Sequence, residues 1–382
     1  MPRDEHHPID ALLASALERF SVRSSLVYAA EPIPAGLSTA RLWRIILREP
    51  LPSGASRESL RVVKLMAKPD DWLSVASGAR DSREILLWSS GALRDLPHLI
   101  ATGVLAASTI DTSGPAALFM RDETAYLARS PLRAPPGRLP EVVRRVVDGL
   151  ARLHARFWMD PRLRDPSLGL MTTRAALLLL APGLIAERLR AGDTQPYLPL
   201  ADAGWRAFFA LSAPGAGRRL REVFDDPSPI VAVIDRLPYT LVHGDVWGPN
   251  LGWLPGTRGA PRTGRRLLLL DWALAGVGPG AYDPLWLCGT WHALDPTHVL
   301  AAYRARLTRH LAARGVRLAP GVWRALADAG YLRTALTCGE ALGRAAEAPP
   351  GPTRERAERR VRWWADRAAL AAERLRSGDM LA

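Results

Sequence analysis

Two short segments in the second half of the chain carry side chains that suit one kind of chemistry. The first, HGDVWGPN, places Asp245 and Asn250 directly after the apolar segment TLV, and the second places Asp271 after the apolar run LLLL. Groups at strand ends can be exposed while the backbone stays rigid. Two carboxylates and a carboxamide meeting there suit Mg²⁺, which takes oxygen ligands and shares them with phosphates. One carboxylate then stays free to accept a hydroxyl proton.

Strands are expected on both sides of these residues and in the first third of the chain. Hydrophobic alternation and turn residues predict strands in SSLVYA, RLWRIILR and LRVVKLMA, and at residues 98–105 and 115–121. Helical spacing marks residues 9–20 and 79–93. The pattern therefore predicts a small, mostly antiparallel sheet with helices, ending near residue 122.

The chain changes character after the proline-rich segment 128–140, which we interpret as a linker or surface loop. Helical periodicity dominates from there, and it is interrupted by a β-rich insert of two strands at residues 239–276. Helices are predicted near residues 141–158, 172–190, 201–222, 284–292, 297–314, 320–345 and 352–376. We therefore predict an α+β fold with two domains, residues 1–122 and residues 123–382.

The composition favours some residue types strongly over others. Lysine occurs only at Lys64 and Lys68, so 49 of the 51 basic residues are arginine, and Asn250 is the single asparagine. A lysine ammonium is a compact point donor that a planar guanidinium does not replace. We therefore regard Lys64, among the apolar residues of LRVVKLMA, and Asn250 as candidates for specific chemistry, and Lys68 as a surface residue.

Several classes of protein are disfavoured by composition. The net charge is +13, but the arginines are spread along the whole chain, which argues against a nucleic-acid binder. The two cysteines, Cys288 and Cys338, cannot form a disulfide framework or a cysteine-rich metal site. The longest apolar run, residues 175–186, is too short to span a membrane, and no Gly-x-Ser-x-Gly hydrolase motif is present. We expect a cytoplasmic protein without a membrane partner.

The motifs HGDVWGPN, LLLLDWALAG and YDPLWL together resemble the aminoglycoside phosphotransferase and choline-kinase-like family, whose members are relatives of protein kinases. The family pattern HxDxxxxN falls on Asp245 and Asn250, D-x-x-x-x-G on Asp271 and Gly276, and a further aspartate on Asp283. Trp247, the tryptophan of HGDVW, resembles a feature of the ecdysteroid-kinase-like branch of the family. The resemblance implies a bilobal protein-kinase-like fold, with a small antiparallel-sheet N-lobe and a larger, mainly helical C-lobe.

The resemblance also implies a nucleotide site. It assigns Lys64 to the α- and β-phosphates of ATP and Glu84, on the next helix, to an ion pair with that lysine. Further expected contacts are a phosphate-covering loop with Gly36, Ser38 and Thr39, and backbone groups around Phe119 and Met120 at the adenine ring. Asn250 and Asp271 would hold Mg²⁺, Asp245 would act as base, and His243 and Asp283 would support the loop.

The implied activity is transfer of the γ-phosphate of ATP to a hydroxyl of a small molecule. Gly244 stands where protein kinases have arginine, and no activation segment fits between Gly276 and Asp283, which favours a small acceptor over a protein. Aminoglycosides, macrolides, amino alcohols and sugars all remain open. The candidate acceptor residues are Asp202, Asp225, Asp226, Trp247, Trp286, Trp291, His292, Asp295, Tyr331 and Glu340. The alternative is a catalytically inactive, kinase-like nucleotide-binding protein that contacts a partner.

Overall fold

The structure is a computed structural model, and it describes residues 11–23, 26–33, 40–51, 53–66, 75–79, 81–110, 116–127, 139–255 and 265–378. The strands in the described residues are β1 (Val27–Ile33), β2 (Arg41–Pro50), β3 (Ser56–Met66), β4 (Ile100–Ala101), β5 (Val104–Thr109), β6 (Ala116–Arg121), β7 (Thr240–Val242), β8 (Leu251–Leu254), β9 (Arg266–Leu269) and β10 (Gly276–Gly278). The helices are α1 (Ala11–Arg19), α2 (Arg83–Ser89), α3 (Glu141–Arg156), α4 (Thr173–Leu178), α5 (Pro182–Arg190), α6 (Tyr197–Leu211), α7 (Pro214–Asp225), α8 (Ser228–Ile234), α9 (Tyr282–Thr290), α10 (Pro296–Ala312), α11 (Pro320–Ala346) and α12 (Pro352–Ser377).

The first third of the chain forms a five-stranded antiparallel sheet in the order β1-β2-β3-β6-β5. Alternation along β2 and β3 turns Ile45, Val63 and Leu65 to one face, where they pack against Leu13 and Leu17 of α1. This small apolar core stabilises the long central strands β2 and β3. The rest of the described chain is mainly helical, so the predicted α+β architecture of sheet part and helical part is confirmed.

The segment predicted as one strand at residues 98–105 is in fact two strands in different sheets. β4 pairs in parallel with β9 of the C-terminal insert, whereas β5 pairs with β6 of the large sheet. The chain changes sheets at Gly103, where a Cβ atom would lie 3.1 Å from the side chain of Leu270. The N-terminal part therefore contributes a strand to the sheet that precedes Asp271.

Prolines divide two of the helices that periodicity predicted as continuous. The helix expected at residues 172–190 is α4 and α5, with Pro182 opening the second, and the helix expected at 201–222 is α6 and α7, with Pro214 opening the second. Proline fits the first turn of a helix but not its interior. The short helix α8 was not predicted, because its seven residues show too little periodicity.

The β-rich insert contains four short strands rather than the two predicted. β7 pairs with β10, and β8 pairs with β9, so the insert belongs to two small sheets. Both are packed into the large helical core, in which Leu241, Leu269 and Trp272 are fully buried. Within the described residues, no helix is both long enough and apolar enough to cross a membrane.

Candidate active site

The strand ends of the insert are tied together through Leu270, the residue before Asp271. The Leu270 N–H donates to the Asn250 carbonyl over 2.9 Å, and its own carbonyl lies 3.0 Å from His243 Nε2. Asp271 then turns with φ of 60°, in the left-handed region that aspartate tolerates better than most residues. The segments of Asp245, Asn250 and Asp271 are therefore brought together by hydrogen bonds to the Leu270 backbone, one from the His243 side chain and one to the Asn250 carbonyl.

Lys64 reaches this place from the sheet. Its Nζ donates to Glu84 Oε2 over 2.6 Å and to Asp271 Oδ1 over 2.8 Å. Lys64 and Glu84 are buried, while the Asp271 side chain is 42% exposed. One ammonium thus joins β3, α2 and the turn after β9.

The Lys64 ammonium and its two carboxylate partners shift one another's pKa values, and burial together with the Asp271 charge raises the pKa of Glu84. Burial by itself would lower the pKa of Lys64, but Asp271 and Glu84 outweigh burial and raise it above its ordinary value. Burial raises the pKa of Asp271 less than the Lys64 cation lowers it, so the pKa of this carboxyl lies below its ordinary value. The arrangement is therefore a protonated amine facing an ionised, partly exposed carboxylate.

Helix α2 also holds the backbone that follows Asp271. The Trp272 N–H donates to Glu84 Oε1 over 3.2 Å, and the neighbouring Arg83 donates to the Ala273 carbonyl. Arg83 also donates to the Gly169 carbonyl over 2.7 Å. Sequence reasoning missed Arg83, because nothing in its spacing distinguishes it from the many solvated arginines of this chain.

Asp245 is held by Asn250. The Asn250 amide nitrogen donates to Asp245 Oδ2 over 2.9 Å and to the Asp245 carbonyl over 3.1 Å. Burial, together with the charge of Asp271, raises the pKa of Asp245 to about 7, although Asn250 and Arg333 act in the opposite direction. A carboxyl with such a pKa can both take up and release a proton near neutrality.

The loop that carries Asp245 rests on a buried carboxylate. Asp283 accepts hydrogen bonds from the His243 N–H over 2.8 Å and the Gly244 N–H over 2.9 Å. Its Oδ2 also lies 3.0 Å from His154 Nε2, and the Tyr303 hydroxyl lies 2.6 Å from His154 Nδ1. Burial would raise the pKa of Asp283, but His154 and the backbone N–H groups lower it. His154 and Tyr303 were not predicted as part of this support.

His243 is a structural member of the loop. The Asp245 N–H donates to its Nδ1 over 3.3 Å, which leaves the hydrogen on Nε2, where the Leu270 carbonyl accepts it. Burial lowers the pKa of His243, which favours this neutral form. The Trp272 ring packs at 4.6 Å from the imidazole.

The other predicted nucleotide contacts stay predictions. Gly36, Ser38 and Thr39 lie outside the described residues. Phe119 and Met120 lie in β6, flanked by β3 and β5, so their backbone groups belong to the sheet.

Four of the five acidic candidates for acceptor binding have partners within the protein. Asp202 pairs with Arg206, Asp226 and Asp295 accept backbone N–H groups at helix starts, and Glu340 accepts the Tyr197 hydroxyl over 2.6 Å. Among the aromatic candidates, Trp247 is 41% exposed beside Asp245, whereas Tyr331 packs against Trp364. Trp291 also lies at the loop of Asp245, since a Cβ atom on Gly248 would lie 3.2 Å from Trp291 Nε1.

The donor set suits Mg²⁺ better than a transition metal. Within the described chain, no group of three His, Cys, Asp or Glu side chains is placed to hold a metal. Asn250 uses its amide nitrogen on Asp245, which leaves its amide oxygen for another partner, and the Asp271 carboxylate is partly exposed. Oxygen donors of this kind, completed by phosphate and water, fit magnesium.

Comparison with known proteins places this arrangement in a family. The APH model, described as the phosphotransferase enzyme family, matches residues 48–317, and no curated protein sequence matches the chain. Among solved structures, the chain is similar to a choline kinase from Cryptosporidium parvum Iowa II, with 11% identity, coverage of 97% of this chain and 95% of that one, and a TM-score of 0.47.

Two further structures show a similar degree of likeness. The choline kinase LicA from Streptococcus pneumoniae has 14% identity, coverage of 92% and 99%, and a TM-score of 0.42. The ADP-bound aminoglycoside phosphotransferase APH(2'')-Ib has 12% identity, coverage of 95% and 99%, and a TM-score of 0.45. Since the family model matches more than half of the chain, the protein belongs to the APH phosphotransferase enzyme family and is a small-molecule kinase.

Proposed function

We propose that this enzyme transfers the γ-phosphate of ATP to a hydroxyl group of a small molecule, with Asp245 as the base. The observation that carries the proposal is the Lys64 ammonium, which contacts both Glu84 and Asp271. In a chain with only two lysines, a buried lysine at this junction supports a role at phosphates. Residues 1–122 would supply the nucleotide side of the cleft and residues 123–382 the acceptor side.

Phosphoryl transfer depends on positioning and on neutralising charge. In the proposal, Lys64 orients the α- and β-phosphates of ATP and Glu84 keeps its ammonium in place. Asn250 and Asp271 would hold Mg²⁺, which when bound neutralises charge on the phosphate oxygens. Asp245 would accept the proton of the acceptor hydroxyl as the new P–O bond forms and the bond between the γ-phosphate and ADP breaks, with ADP as the leaving group. Asp283 and His243 would keep its loop in place.

The acceptor is proposed to be a small hydroxylated molecule other than a polycation. A polycationic aminoglycoside needs several free carboxylates in one pocket, but four of the five acidic candidates, all except Asp225, are engaged by an internal partner. This favours an amino alcohol, a sugar, a macrolide or another hydroxylated metabolite. No nucleic acid is proposed as a partner.

The proposal is tested by measuring Mg-ATP consumption against pooled hydroxylated antibiotics and metabolites. Wild-type enzyme should consume ATP with at least one pool, and Asp245→Ala should lower kcat at least about a hundredfold, because the general base is removed. Binding of Mg-ATP to the variant, measured by titration calorimetry, should be nearly unchanged.

Asp165→Ala is a matched control, since Asp165 is an exposed acid whose described side-chain contacts are with Ser167. It should retain wild-type turnover. If Asp245→Ala keeps turnover within about tenfold of wild type, Asp245 is not the base. Stoichiometric ATP binding without transfer to any pool would instead support the inactive, partner-binding alternative.

A further inference from the structure

Arg333, in α11, is a buried cation without an ion pair among the described residues. The residue is fully buried, and its Nη2 donates to the Gly244 carbonyl over 3.0 Å. Its Nε and Nη1 have no hydrogen-bond partner in the described part of the protein. Burying a charge without a paired partner is costly, so a fold that keeps one has a use for it.

The surroundings of Arg333 fix its guanidinium in one direction. The Tyr282 ring centroid lies 5.0 Å from the guanidinium carbon and the Trp286 centroid 4.8 Å, so two rings of α9 flank the cation. Burial lowers the pKa of Arg333, and the nearby Asp283 and Asp245 carboxylates act against that lowering. The charge is therefore compensated by the field of the nearby Asp283 and Asp245 carboxylates rather than by a direct pair.

Gly244 is held on both sides by buried charged groups. Its N–H donates to Asp283 Oδ1 over 2.9 Å, and its carbonyl accepts from Arg333 Nη2 over 3.0 Å. Its φ of +83° and the Leu274 carbonyl, which a Cβ atom would approach to 2.0 Å, require glycine here. The peptide that leads into Asp245 is thus fixed at its carbonyl by a residue from 89 positions later in the chain.

We propose that Arg333 is a positioning residue for phosphotransfer: it fixes the Gly244–Asp245 peptide and thereby the direction of the Asp245 carboxylate. This inference rests on the proposed function of Asp245. Arg333 does not touch substrate in this account. Its effect is expected on turnover rather than on nucleotide binding, because its described contacts are with Gly244, Tyr282 and Trp286 and not with Lys64 or Glu84.

Two substitutions test the inference in the full-length enzyme. Arg333→Met removes the donor and the charge at similar length, and Arg333→Lys keeps a charge and one donor for the Gly244 carbonyl. With an acceptor pool that wild-type enzyme uses, Arg333→Met should lower kcat at least about tenfold while KM for ATP changes less than about twofold. Arg333→Lys should recover part of that loss. If Arg333→Met fails to fold, Arg333→Lys should still show a lowered kcat with KM for ATP unchanged.

Hydrogen exchange provides a readout that does not need turnover. With Mg-ATP present, peptides covering residues 243–247 should exchange faster in Arg333→Met than in wild type, and in Arg333→Lys to a smaller extent. Peptides from α2 should be unchanged. If residues 243–247 exchange at the wild-type rate in both variants, the inference about Arg333 is refuted, even if no acceptor has been found. This result does not depend on whether Asp245 is the base, so the two proposals can fail separately.

Arg374→Met is the matched control. Arg374 lies 3.8 Å from the buried Asp328, which is on α11 as Arg333 is, so its loss removes the ion-pair partner of a buried carboxylate. None of its described contacts is with the loop that carries Asp245. It should lower the melting temperature and leave kcat unchanged. If Arg374→Met lowers kcat as much as Arg333→Met does, or if Arg333→Met raises KM for ATP in parallel with its loss of kcat, Arg333 has a purely structural role.

Discussion

At the scale of single residues, the site depends on the difference between an ammonium and a guanidinium. The Lys64 Nζ atom fits between two carboxylate oxygens at 2.6 and 2.8 Å, in a position that is almost closed to solvent. Arginine, with its planar guanidinium group, is used elsewhere in this protein to donate to backbone carbonyls, as Arg83 and Arg333 do. The space between Glu84 and Asp271 instead requires a compact ammonium, which a guanidinium does not replace.

Lys64→Arg should therefore impair nucleotide use although the charge is conserved. The larger planar group cannot contact both Glu84 and Asp271 without moving one of them, and we expect kcat/KM for ATP to fall at least about tenfold. Initial rates at varied ATP concentration measure the effect. The control is Lys68→Arg, at a position outside the described residues, which tests whether replacing any lysine has the same effect. If Lys64→Arg leaves the kinetics with ATP unchanged, Lys64 is not part of the site.

At the scale of elements, two helices of the larger part approach through glycines. A Cβ atom on Gly204 of α6 would lie 2.1 Å from the Glu340 carbonyl, and one on Gly343 of α11 would lie 1.9 Å from the Gly204 carbonyl. Backbone atoms cannot move aside as a flexible side chain can. The position of α11 against α6, and with it the depth at which Arg333 lies, therefore depends on both residues having no side chain.

Gly204→Ala should destabilise the protein by about 1–3 kcal/mol, because the added methyl group forces the helices apart. The urea midpoint followed by tryptophan fluorescence measures this, with Trp205 as a neighbouring reporter. The control is Gly215→Ala in α7, where a Cβ atom would meet nothing within 4 Å. That substitution should leave the midpoint unchanged or raise it, since alanine loses less backbone entropy in a helix. Equal midpoints for the two variants would contradict the packing account.

At the scale of the whole molecule, the sheet part and the helical part are joined close to the chemistry. β4 pairs with β9, and α2 holds the turn after Asp271 through Glu84 and Arg83. The loop that carries Asp245 is held by Asp283 and Arg333, which both hydrogen-bond to Gly244. The two parts of the chain therefore meet through apolar packing, in which Leu87 and Ile100 share one core with Leu267, as well as through charged side chains and backbone groups. The charged groups make the stability of this junction depend on pH.

The buried Asp283 carboxylate should contribute to acid sensitivity of the fold. Its pKa in the folded protein is lowered, so its stabilising contribution is present above the ordinary aspartate pKa of about 3.9 and is lost as pH falls through the lower folded value. The difference in urea midpoint between wild type and Asp283→Asn should be constant above about pH 5 and shrink below about pH 4. A difference that grows on acidification would contradict this sign.

The amino-acid sequence by itself indicated the two-part architecture and the family. Periodicity predicts α3, α10, α11 and α12 well because long helices with one buried face repeat their pattern several times. Short elements such as α8 and β10 carry too few residues for a period to appear. The strand ends near Asp245, Asn250 and Asp271 could be predicted from the sequence because these polar residues follow apolar runs.

Only the tertiary structure decided which residues support the site. Arg83, His154, Tyr303 and Arg333 are distant in sequence from the loops they hold, and no local pattern separates a buried arginine from a solvated one. The assignment of residues 98–105 to two sheets likewise depends on β9, which lies much later in the chain. A motif is local and can be recognised along the chain, whereas burial and long-range hydrogen bonding exist only after distant segments have packed together.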